Sequence, residues 1–379
     1  MNTLCCTSIL ALMAVAAAPG WLNDAEVCNG WYRQWTDEAI AAMRDVPFVI
    51  GVPLDKKVIE KAHGQGTRVL VYVTFYQMPP GRTYQNADIS EHADWNVIHP
   101  DGTEGISVFD STDNPGWRTV CPNSPGYRKY VLEYTKFVMD QGADGLFIDN
   151  GHPDVTCEAP KFRRHEHIYP GKDNIYAYRE LLKDVRALVK RYGEDKIIIV
   201  NPGEPRKAWV GACDGQMFES YICTHAADHR WHDEARLVKT QKEWGPLAEQ
   251  GNALVALSYI GHTSNPPRED AFYCYAWARL SGFIWADWFT AKDVARALYK
   301  VRLGEATGPM TTGDGFYMRG FERGLVVVSR ESRGAVVRLS AKDHARVFDV
   351  FAAKHLKPGT SGDYEITLEP GQGRVYLFR

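Results

Sequence analysis

The chain has 379 residues, of which 45% are hydrophobic and 24% are charged, and its formal net charge is −3. This composition is that of a globular protein with a large core, and it argues against extended disorder. A pI of about 6.5 gives no electrostatic reason to expect nucleic acid or an anionic membrane as a partner. The 11 tryptophans and 19 tyrosines exceed what a core needs and favour a sugar-stacking surface, although large barrels also bury many aromatic side chains.

Residues 1–18 carry no charged side chain and end in Ala16, Ala17 and Ala18 before Pro19. This pattern predicts a signal peptide and therefore export to the periplasm or the exterior, although no Lys or Arg precedes the apolar run. The run is too short for a spanning helix, and no other segment approaches about 20 consecutive apolar residues. We therefore expect no membrane partner beyond the export signal. A wrongly assigned start, with the segment never made, is the alternative.

From residue 26 onward, β-rich apolar runs alternate with amphipathic helical segments, which predicts parallel βα units. Helices are expected between the strands, with Thr36, Asp55 and Ser124 as N-caps. Eight such units match an α/β barrel in size and order, so residues 19–304 are predicted to form a (β/α)8 TIM barrel. The predicted strands are 27–35, 47–53, 68–76, 143–149, 196–200, 215–221, 253–260 and 282–288.

After Gly304 the sequence changes to short β-rich runs separated by glycines and charged turns. This spacing predicts a small C-terminal antiparallel β-sandwich over residues 305–379. It contains no recognisable catalytic group, and its expected role is to cover and stabilise the barrel, with sugar binding as an alternative. The predicted strands are 315–319, 324–329, 335–340, 345–351, 364–368 and 374–378.

Two carboxylates lie at the ends of predicted strands four and six, Asp149 and Glu219. In an α/β barrel both would face the same catalytic mouth. Hydrolysis of a glycosidic bond uses two carboxyl groups, about 5 Å apart in retaining enzymes and about 6.5–9.5 Å apart in inverting ones. We predict Asp149 as nucleophile or charge stabiliser and Glu219 as the proton donor, whose pKa its surroundings must raise. Either carboxylate alone would more often be an ion pair or a cap.

Further polar and aromatic side chains lie at or beyond predicted strand ends, where they could contact a sugar. Asp287 is equally compatible with a third catalytic carboxylate and with a hydrogen bond at the barrel rim. Tyr72 and Trp285 are weaker candidates, because aromatic residues within strands more often belong to the core. The candidate substrate-binding residues are Asn150, Asn201, Asn123, Tyr76, Tyr259, His262, Asp287 and Trp288.

Six cysteines lie outside the predicted signal peptide, and an even number permits disulfides without requiring them. Cys121 and Cys157 form the best candidate pair, because both are expected on loops at the same barrel face. No close-spaced Cys/His set resembles a zinc site, and we predict neither a metal nor an organic cofactor. A metal-dependent hydrolase is the alternative that the loop histidines allow; these are His165, His167, His225, His229 and His232.

The sequence DGLFIDN at 144–150, preceded by CPNSPGY at 121–127, resembles the glycoside hydrolase barrels of the α-amylase and α-galactosidase-like superfamilies. The tail, from RGF at 319–321 to the final run at 373–378, is similar to the terminal β-domain of amylase-type enzymes. The resemblance implies a barrel glycosidase with an appended β-module.

The strand-four aspartate, NPG at 201–203 and ES at 219–220 are also similar to glycoside hydrolase families 114, 135 and 166, which act on galactosamine-containing polymers. This second resemblance implies Asp149 and Glu219 as the catalytic pair. The amylase-type Arg-x-Asp pattern is absent, because Phe147 occupies the place of the arginine, which argues against an ordinary α-amylase.

Together these features predict an exported glycosidase that cleaves glycosidic bonds in a polysaccharide or glycan by a two-carboxylate mechanism. Its expected partner is the carbohydrate substrate, with no nucleic acid. A non-catalytic carbohydrate-binding protein built on a degenerate barrel is the main alternative.

Overall fold

A closed barrel of eight parallel strands forms the centre of the computed structural model, which describes residues 18–30, 35–79, 89–112, 115–224, 231–260, 268–288, 296–344 and 346–378. The strands are β1 (Val27–Gly30), β2 (Phe48–Val52), β3 (Arg68–Thr74), β4 (Gly145–Asp149), β5 (Ile197–Val200), β6 (Gly215–Phe218), β7 (Ala253–Ser258) and β8 (Ile284–Trp288). Each pairs with its neighbour in chain order, and β8 closes the ring on β1. The predicted barrel is thereby confirmed. β3, β6 and β7 end two or three residues earlier than predicted, where the chain leaves the sheet for the catalytic-face loops.

The helices surround the strands, and the three predicted N-caps are confirmed. Thr36 accepts from the Ala39 amide at 3.3 Å, Asp55 from Lys57 at 2.9 Å, and Ser124 caps its helix in the same way. The helices are α1 (Asp37–Ala42), α2 (Lys56–His63), α3 (Pro125–Asp140), α4 (Asn174–Lys190), α5 (Glu234–Glu249), α6 (Arg268–Leu280) and α7 (Arg296–Tyr299), after a one-turn helix at Gly20–Asn23.

Two connections depart from a regular βα repeat. β5 and β6 are joined by a short 3-10 turn, Lys207–Trp209, in place of a helix. In its described residues, 75–79, 89–112 and 115–124, the long segment between β3 and α3 has two 3-10 turns and two paired two-residue strands, Gln77–Met78 and Arg118–Thr119. Of the helices described above, none is long and apolar enough to cross a bilayer.

The barrel interior is filled by side chains from alternate positions of the strands, including Phe48, Leu70, Phe147 and Ile199, all fully buried. A second apolar layer lies between the outer faces of the strands and the helices. Gly145 begins β4 with φ +150°, and a Cβ there would lie 1.8 Å from the Ile197 carbonyl oxygen. Because only glycine tolerates this approach, Gly145 lets β4 start beside β5 in the correct register.

The N-terminal segment seals the bottom of the barrel. Leu22 is fully buried in the interior cluster together with Ala25. The Trp21 indole donates to the Asp195 carbonyl at 2.9 Å, and the Arg68 guanidinium lies 4.5 Å from its ring centroid. The N-terminal ends of the barrel strands are therefore covered by this segment.

The C-terminal region forms two antiparallel sheets, as predicted. Leu325 and Val327 from the larger sheet pack against Val337, Leu339 and Ile366 from the smaller one. The strands are β9 (Thr311–Gly313), β10 (Phe316–Phe321), β11 (Gly324–Ser329), β12 (Ala335–Ser340), β13 (Val347–Asp349), β14 (Lys354–His355), β15 (Asp363–Leu368) and β16 (Gly373–Phe378); β9 and β14 are additional to the prediction. The six-stranded sheet has the order β9-β10-β11-β16-β13-β14, and β12 pairs with β15.

The larger sheet packs against α6 of the barrel. Val326 and Val328 of β11 belong to the outer core of the barrel. They lie on the face of β11 that points away from the core between the two C-terminal sheets. Arg319 of β10 pairs with Glu249 at 2.7 Å and donates to the Leu280 carbonyl at 3.2 Å. The sheet and the barrel thus share one continuous apolar layer.

Candidate active site

The two predicted catalytic carboxylates meet at the open end of the barrel and share one hydrogen-bond donor. Asp149 ends β4, Glu219 follows β6, and Asn201 follows β5, which lies between them. The Asn201 Nδ2 donates to Asp149 Oδ1 at 2.7 Å and to Glu219 Oε2 at 2.8 Å. Those two carboxylate oxygens are therefore at most about 5.5 Å apart, the sum of the two bond lengths.

The orientation of the Asn201 amide is fixed by its own turn. Its Oδ1 accepts from the Gly203 amide at 3.0 Å, which leaves Nδ2 to face the carboxylates. The backbone of the same turn contacts both catalytic segments, because the Asn201 carbonyl accepts from Gly151 at 2.8 Å and the Gly203 carbonyl accepts from Glu219 at 2.7 Å. Asn201 thus sets the spacing of the two carboxylates through side chain and backbone together.

Each carboxylate also accepts a hydrogen bond from a tyrosine. The Tyr72 hydroxyl, from β3, donates to Asp149 Oδ2 at 2.7 Å, and the Tyr259 hydroxyl, after β7, donates to Glu219 Oε1. A third donor reaches Asp149, since the Asn150 Nδ2 lies 3.4 Å from the same Oδ2. The site is therefore built from the ends of five neighbouring strands.

Burial and the neighbouring charge both act on Asp149. Its pKa is raised above the ordinary value, chiefly by burial and also by the charge of Glu219, while hydrogen bonds from Tyr72 and Asn201 oppose the rise. Burial and the Glu219 charge likewise raise the pKa of Tyr259, which keeps its phenol protonated as a donor.

The residue that follows each carboxylate has a left-handed backbone. Asn150 has φ 56° and Ser220 has φ 57°, values uncommon for residues other than glycine. Such strained conformations concentrate at functional sites, where the surrounding structure enforces them. Both turns take the chain sharply away from the strand end and leave each carboxylate at the barrel mouth.

The structure places the other predicted residues differently. Asn123 is fully buried, and its amide donates to the Tyr169 carbonyl at 3.1 Å and accepts from the Tyr169 amide at 2.8 Å, so it holds the loop after β4. Tyr76 is buried, and its hydroxyl accepts from the Val155 amide at 3.3 Å in the same loop. Trp285 is fully buried in the outer core.

Several predicted residues lie beyond the part of the chain that the structure describes. The histidines at positions 225, 229 and 262 fall in the loops after β6 and β7 and lie outside the described residues. The backbone of Asp287 and Trp288 belongs to β8, but their side chains are also outside the description. The roles predicted for these residues stay predictions.

The histidines of the loop after β4 face two cysteines. His167 lies 3.7 Å from the Cys121 sulfur, and His165 lies 3.8 Å from the Cys157 sulfur, each through Nε2. Cys121 and Cys157 are neighbours, as predicted, and both are free thiols. The four residues could not be recognised as a group from their spacing in the sequence. Cys121 is distant from the other three along the chain, and the barrel topology brings them together.

Three side chains make hydrogen bonds to the carboxylates that the sequence did not predict. Tyr72 was a weak sugar-stacking candidate, yet its hydroxyl bonds Asp149. Asn201 and Tyr259 are predicted to bind substrate hydroxyls, and in the structure both side chains donate hydrogen bonds to the carboxylates. The position of Asn201 in the sequence could have indicated this contact, because Asn201 follows the strand that lies between the two strands carrying the acids.

Comparison with known proteins identifies the family. The model of a family described as hypothetical glycosyl hydrolase family 15 matches residues 61–325, which is more than half of the chain. No curated protein matches the chain. The narrower likeness to families 114, 135 and 166 stays a prediction.

Solved structures of amylase type share the fold. An α-amylase from Malbranchea cinnamomea aligns at a TM-score of 0.60 with 10% identity, over 94% of this chain and 97% of that one. A debranching enzyme from Nostoc punctiforme aligns at 0.59 with 11% identity, over 96% and 100%. An α-amylase from Geobacillus thermoleovorans, solved with acarbose, aligns at 0.57 with 11% identity, over 95% and 99%. At these identities the likeness concerns the fold, and the family model supplies the class: the chain belongs to hypothetical glycosyl hydrolase family 15 and is a glycosidase.

Proposed function

We propose that this protein is a retaining glycoside hydrolase of a polysaccharide or glycan, with Asp149 as nucleophile and Glu219 as general acid and base. The supporting observation is the Asn201 amide shared by both carboxylates, which keeps their nearest oxygens within about 5.5 Å. Retaining enzymes hold their carboxyl groups about 5–5.5 Å apart, whereas inverting enzymes need about 6.5–9.5 Å to admit a water. The same proposal places the enzyme outside the cytoplasm, on the strength of the export signal predicted for residues 1–18.

The hydrogen-bond donors favour this division of roles. An amide NH2 can only donate, so the oxygens bonded to Asn201 must remain acceptors. On Asp149 the remaining Oδ2 also receives the Asn150 amide, whereas the Glu219 Oε1 is bonded only to the Tyr259 hydroxyl among the described hydrogen bonds. A hydroxyl can accept as well as donate, so Glu219 Oε1 is the oxygen best placed to carry the proton that a general acid donates.

Protonation of Glu219 also prepares the nucleophile. Burial is the main cause of the raised pKa of Asp149, and the Glu219 charge adds to it. When Glu219 carries the acid proton that charge is gone, and donors from Tyr72, Asn150 and Asn201 stabilise the Asp149 carboxylate. The pair then has one acid and one ionised nucleophile, as retaining chemistry requires.

The reaction follows in two steps. In the first, an Asp149 oxygen attacks the anomeric carbon, the glycosidic bond breaks, and Glu219 gives its proton to the departing oxygen. In the second, the Glu219 carboxylate takes a proton from water, whose oxygen attacks the anomeric carbon and releases Asp149. The sugar leaves with its original anomeric configuration.

Hydrolysis of a glycan panel tests the proposal. The wild type is expected to release sugar whose first-formed anomer, observed by proton NMR, matches the substrate. Asp149→Asn and Glu219→Gln are each expected to lose activity by on the order of 10³-fold or more. Asp154→Asn is the matched control, because this exposed carboxylate lies on the same loop and pairs with Arg206.

Azide distinguishes the two roles. For Asp149→Ala, added azide is expected to restore turnover and give a glycosyl azide of inverted configuration, whereas Glu219→Ala should give the retained one. The opposite pattern would exchange the roles. Full activity in both variants would refute the two-carboxylate site, and sugar binding on a glycan array without any product would favour the non-catalytic alternative.

A further inference from the structure

Four potential metal ligands converge beside the active-site loops. Cys121 ends the long segment that precedes α3, while Cys157, His165 and His167 come from the loop that follows Asp149. One ligand atom from each residue lies within 4.8 Å of all the others. The group therefore joins two segments that are far apart along the chain.

The distances fit one tetrahedral zinc ion. With Zn–S of about 2.3 Å and Zn–N of about 2.0–2.1 Å, a sulfur and a nitrogen on the same ion lie about 3.6 Å apart. The observed sulfur to Nε2 distances are 3.7 Å for Cys121 and His167 and 3.8 Å for Cys157 and His165. Two sulfurs and two imidazoles are also a common ligand set for structural zinc.

The surroundings suit a metal thiolate. Both cysteines are buried, in an apolar cluster with Val97, Ile98 and Ala159. The Ile98 amide donates to the Cys157 sulfur at 3.4 Å. Such amide donors and an apolar shell commonly surround the sulfur ligands of metal sites.

We propose that Cys121, Cys157, His165 and His167 bind one structural zinc ion. Four protein ligands complete a tetrahedron and leave no open position for a catalytic water. The ion would fasten the loop after β4 to the segment before α3, next to the contact between Asn123 and Tyr169. Its role is to hold the rim of the barrel mouth, separately from the chemistry at Asp149.

A disulfide between Cys121 and Cys157 is the competing use of the two sulfurs. With the two sulfurs bonded to each other, His165 and His167 would still face them but could not bind a common metal ion with them. Zinc uses all four groups, and it binds only the reduced cysteines. Metal content and thiol state therefore decide between the two.

The test loads the full-length wild type with Zn²⁺ alone, dialyses it, and measures zinc by mass spectrometry. About one zinc per chain is expected, with Cys121 and Cys157 protected from alkylation until a chelator is added. Cys157→Ser and His165→Ala should each weaken zinc binding by about 10-fold or more. Cys213→Ser and His99→Ala are controls, since neither residue belongs to the group, and should bind zinc as the wild type does.

Cobalt substitution in the wild type tests the site without any variant, because tetrahedral Co²⁺ bound to thiolates absorbs visible light.

Removal of the metal by a chelator is expected to lower Tm while leaving kcat unchanged at temperatures where the protein stays folded. Absence of retained zinc and of the cobalt spectrum, or recovery of a peptide crosslinked through Cys121 and Cys157 from zinc-treated protein, would overturn the site. Loss of kcat without a change in Tm would overturn its structural role.

Discussion

At the residue scale, one amide nitrogen accounts for the geometry of the site. Two neighbouring carboxylates repel each other, and a donor shared between them offsets part of that repulsion. Asn201 can do this because its Oδ1 is held by Gly203, which aims Nδ2 at Asp149 and Glu219. An aspartate of the same shape would add a third negative charge instead of a donor.

Asn201→Ala is expected to lower kcat by about 10–100-fold, the value of a hydrogen bond to a charged group. The bond from Asn201 lowers the pKa of Asp149, so its loss raises that pKa further. Because the proposed nucleophile must be ionised, the acidic limb of the kcat/KM profile should move to higher pH. Steady-state kinetics across pH on an active glycan measures both effects.

Asn252→Ala is the matched control, since this side-chain amide donates to the Leu247 carbonyl near the C-terminal end of α5. Its pH profile should coincide with that of the wild type. A profile for Asn201→Ala that falls in height but keeps its acidic limb would show that Asn201 acts on folding or substrate binding and leaves the ionisation of Asp149 unchanged.

The sequence alone was enough to place Asp149 and Glu219 at the ends of two nearby strands, because each follows a recognisable apolar run. It did not predict the hydrogen bonds that these carboxylates accept. The hydrogen bond from Tyr72 and the Cys121 to His167 contact join residues 77 and 46 positions apart. Such contacts depend on strand register and loop paths, which local patterns do not specify.

At the element scale, β4 carries an aspartate at each end, and the two have opposite roles. Asp144, just before the strand, bonds Lys196 at 2.8 Å, His63 at 2.6 Å and the Val69 amide at 2.8 Å. Burial acts to raise its pKa, but these partners outweigh burial and lower it. The Asp144 carboxylate, at the N-terminal ends of the strands, therefore connects neighbouring strands of the barrel. Asp149, at the other end of β4, faces the mouth.

Asp144→Asn is expected to destabilise the protein by about 3 kcal/mol at neutral pH, because it leaves a partly buried lysine without its charge partner. Since the folded-state pKa of Asp144 lies below the unfolded value of about 3.9, the contribution of its charge is complete above about pH 4 and is lost as the pH falls through the folded-state pKa. Urea unfolding at a series of pH values should show the difference between wild type and variant shrinking below about pH 4.

Asp140→Asn removes an exposed ion pair with Lys136 and serves as the control. It should leave the unfolding curve nearly unchanged, because exposed pairs contribute little. A difference between Asp144→Asn and wild type that stayed constant down to pH 2 would mean that its effect comes from packing and not from charge.

The elements themselves were largely readable from the sequence. All eight barrel strands coincide with β-rich runs of the sequence. Thr36, Asp55 and Ser124 could be recognised as helix caps because they are residue types that commonly cap helices. The two-residue strands of the segment after β3 and the short β9 and β14 were not predicted. They are too short to have a periodicity, and they form because tertiary contacts bring a partner strand alongside.

At the scale of the whole molecule, α6 joins the barrel to the C-terminal sheets. From Ala271 to Leu280 every side chain of α6 is buried, one side against the barrel and the other against β11 and β16. Nine of these ten side chains are uncharged, and a helix with large apolar side chains on both sides is not stable with one side solvated. We therefore expect the barrel and the sheets to unfold together, in one transition.

Gly373→Ala tests this coupling at the closest point of the interface. A Cβ at Gly373 would lie 2.7 Å from the Tyr273 Cα and 2.8 Å from the Phe272 carbonyl oxygen, both backbone atoms of α6 that cannot turn aside. The variant should be destabilised by about 1–3 kcal/mol, as in other overpacked cores. Near-ultraviolet circular dichroism, dominated by barrel tryptophans, and calorimetry should report one transition at a lower Tm.

Gly308→Ala, where a Cβ has no atom within 4 Å, should keep the Tm of the wild type. If Gly373→Ala instead split the transition into two, with the barrel unchanged, the sheets would be an independent module, and α6 would not need them to stay folded.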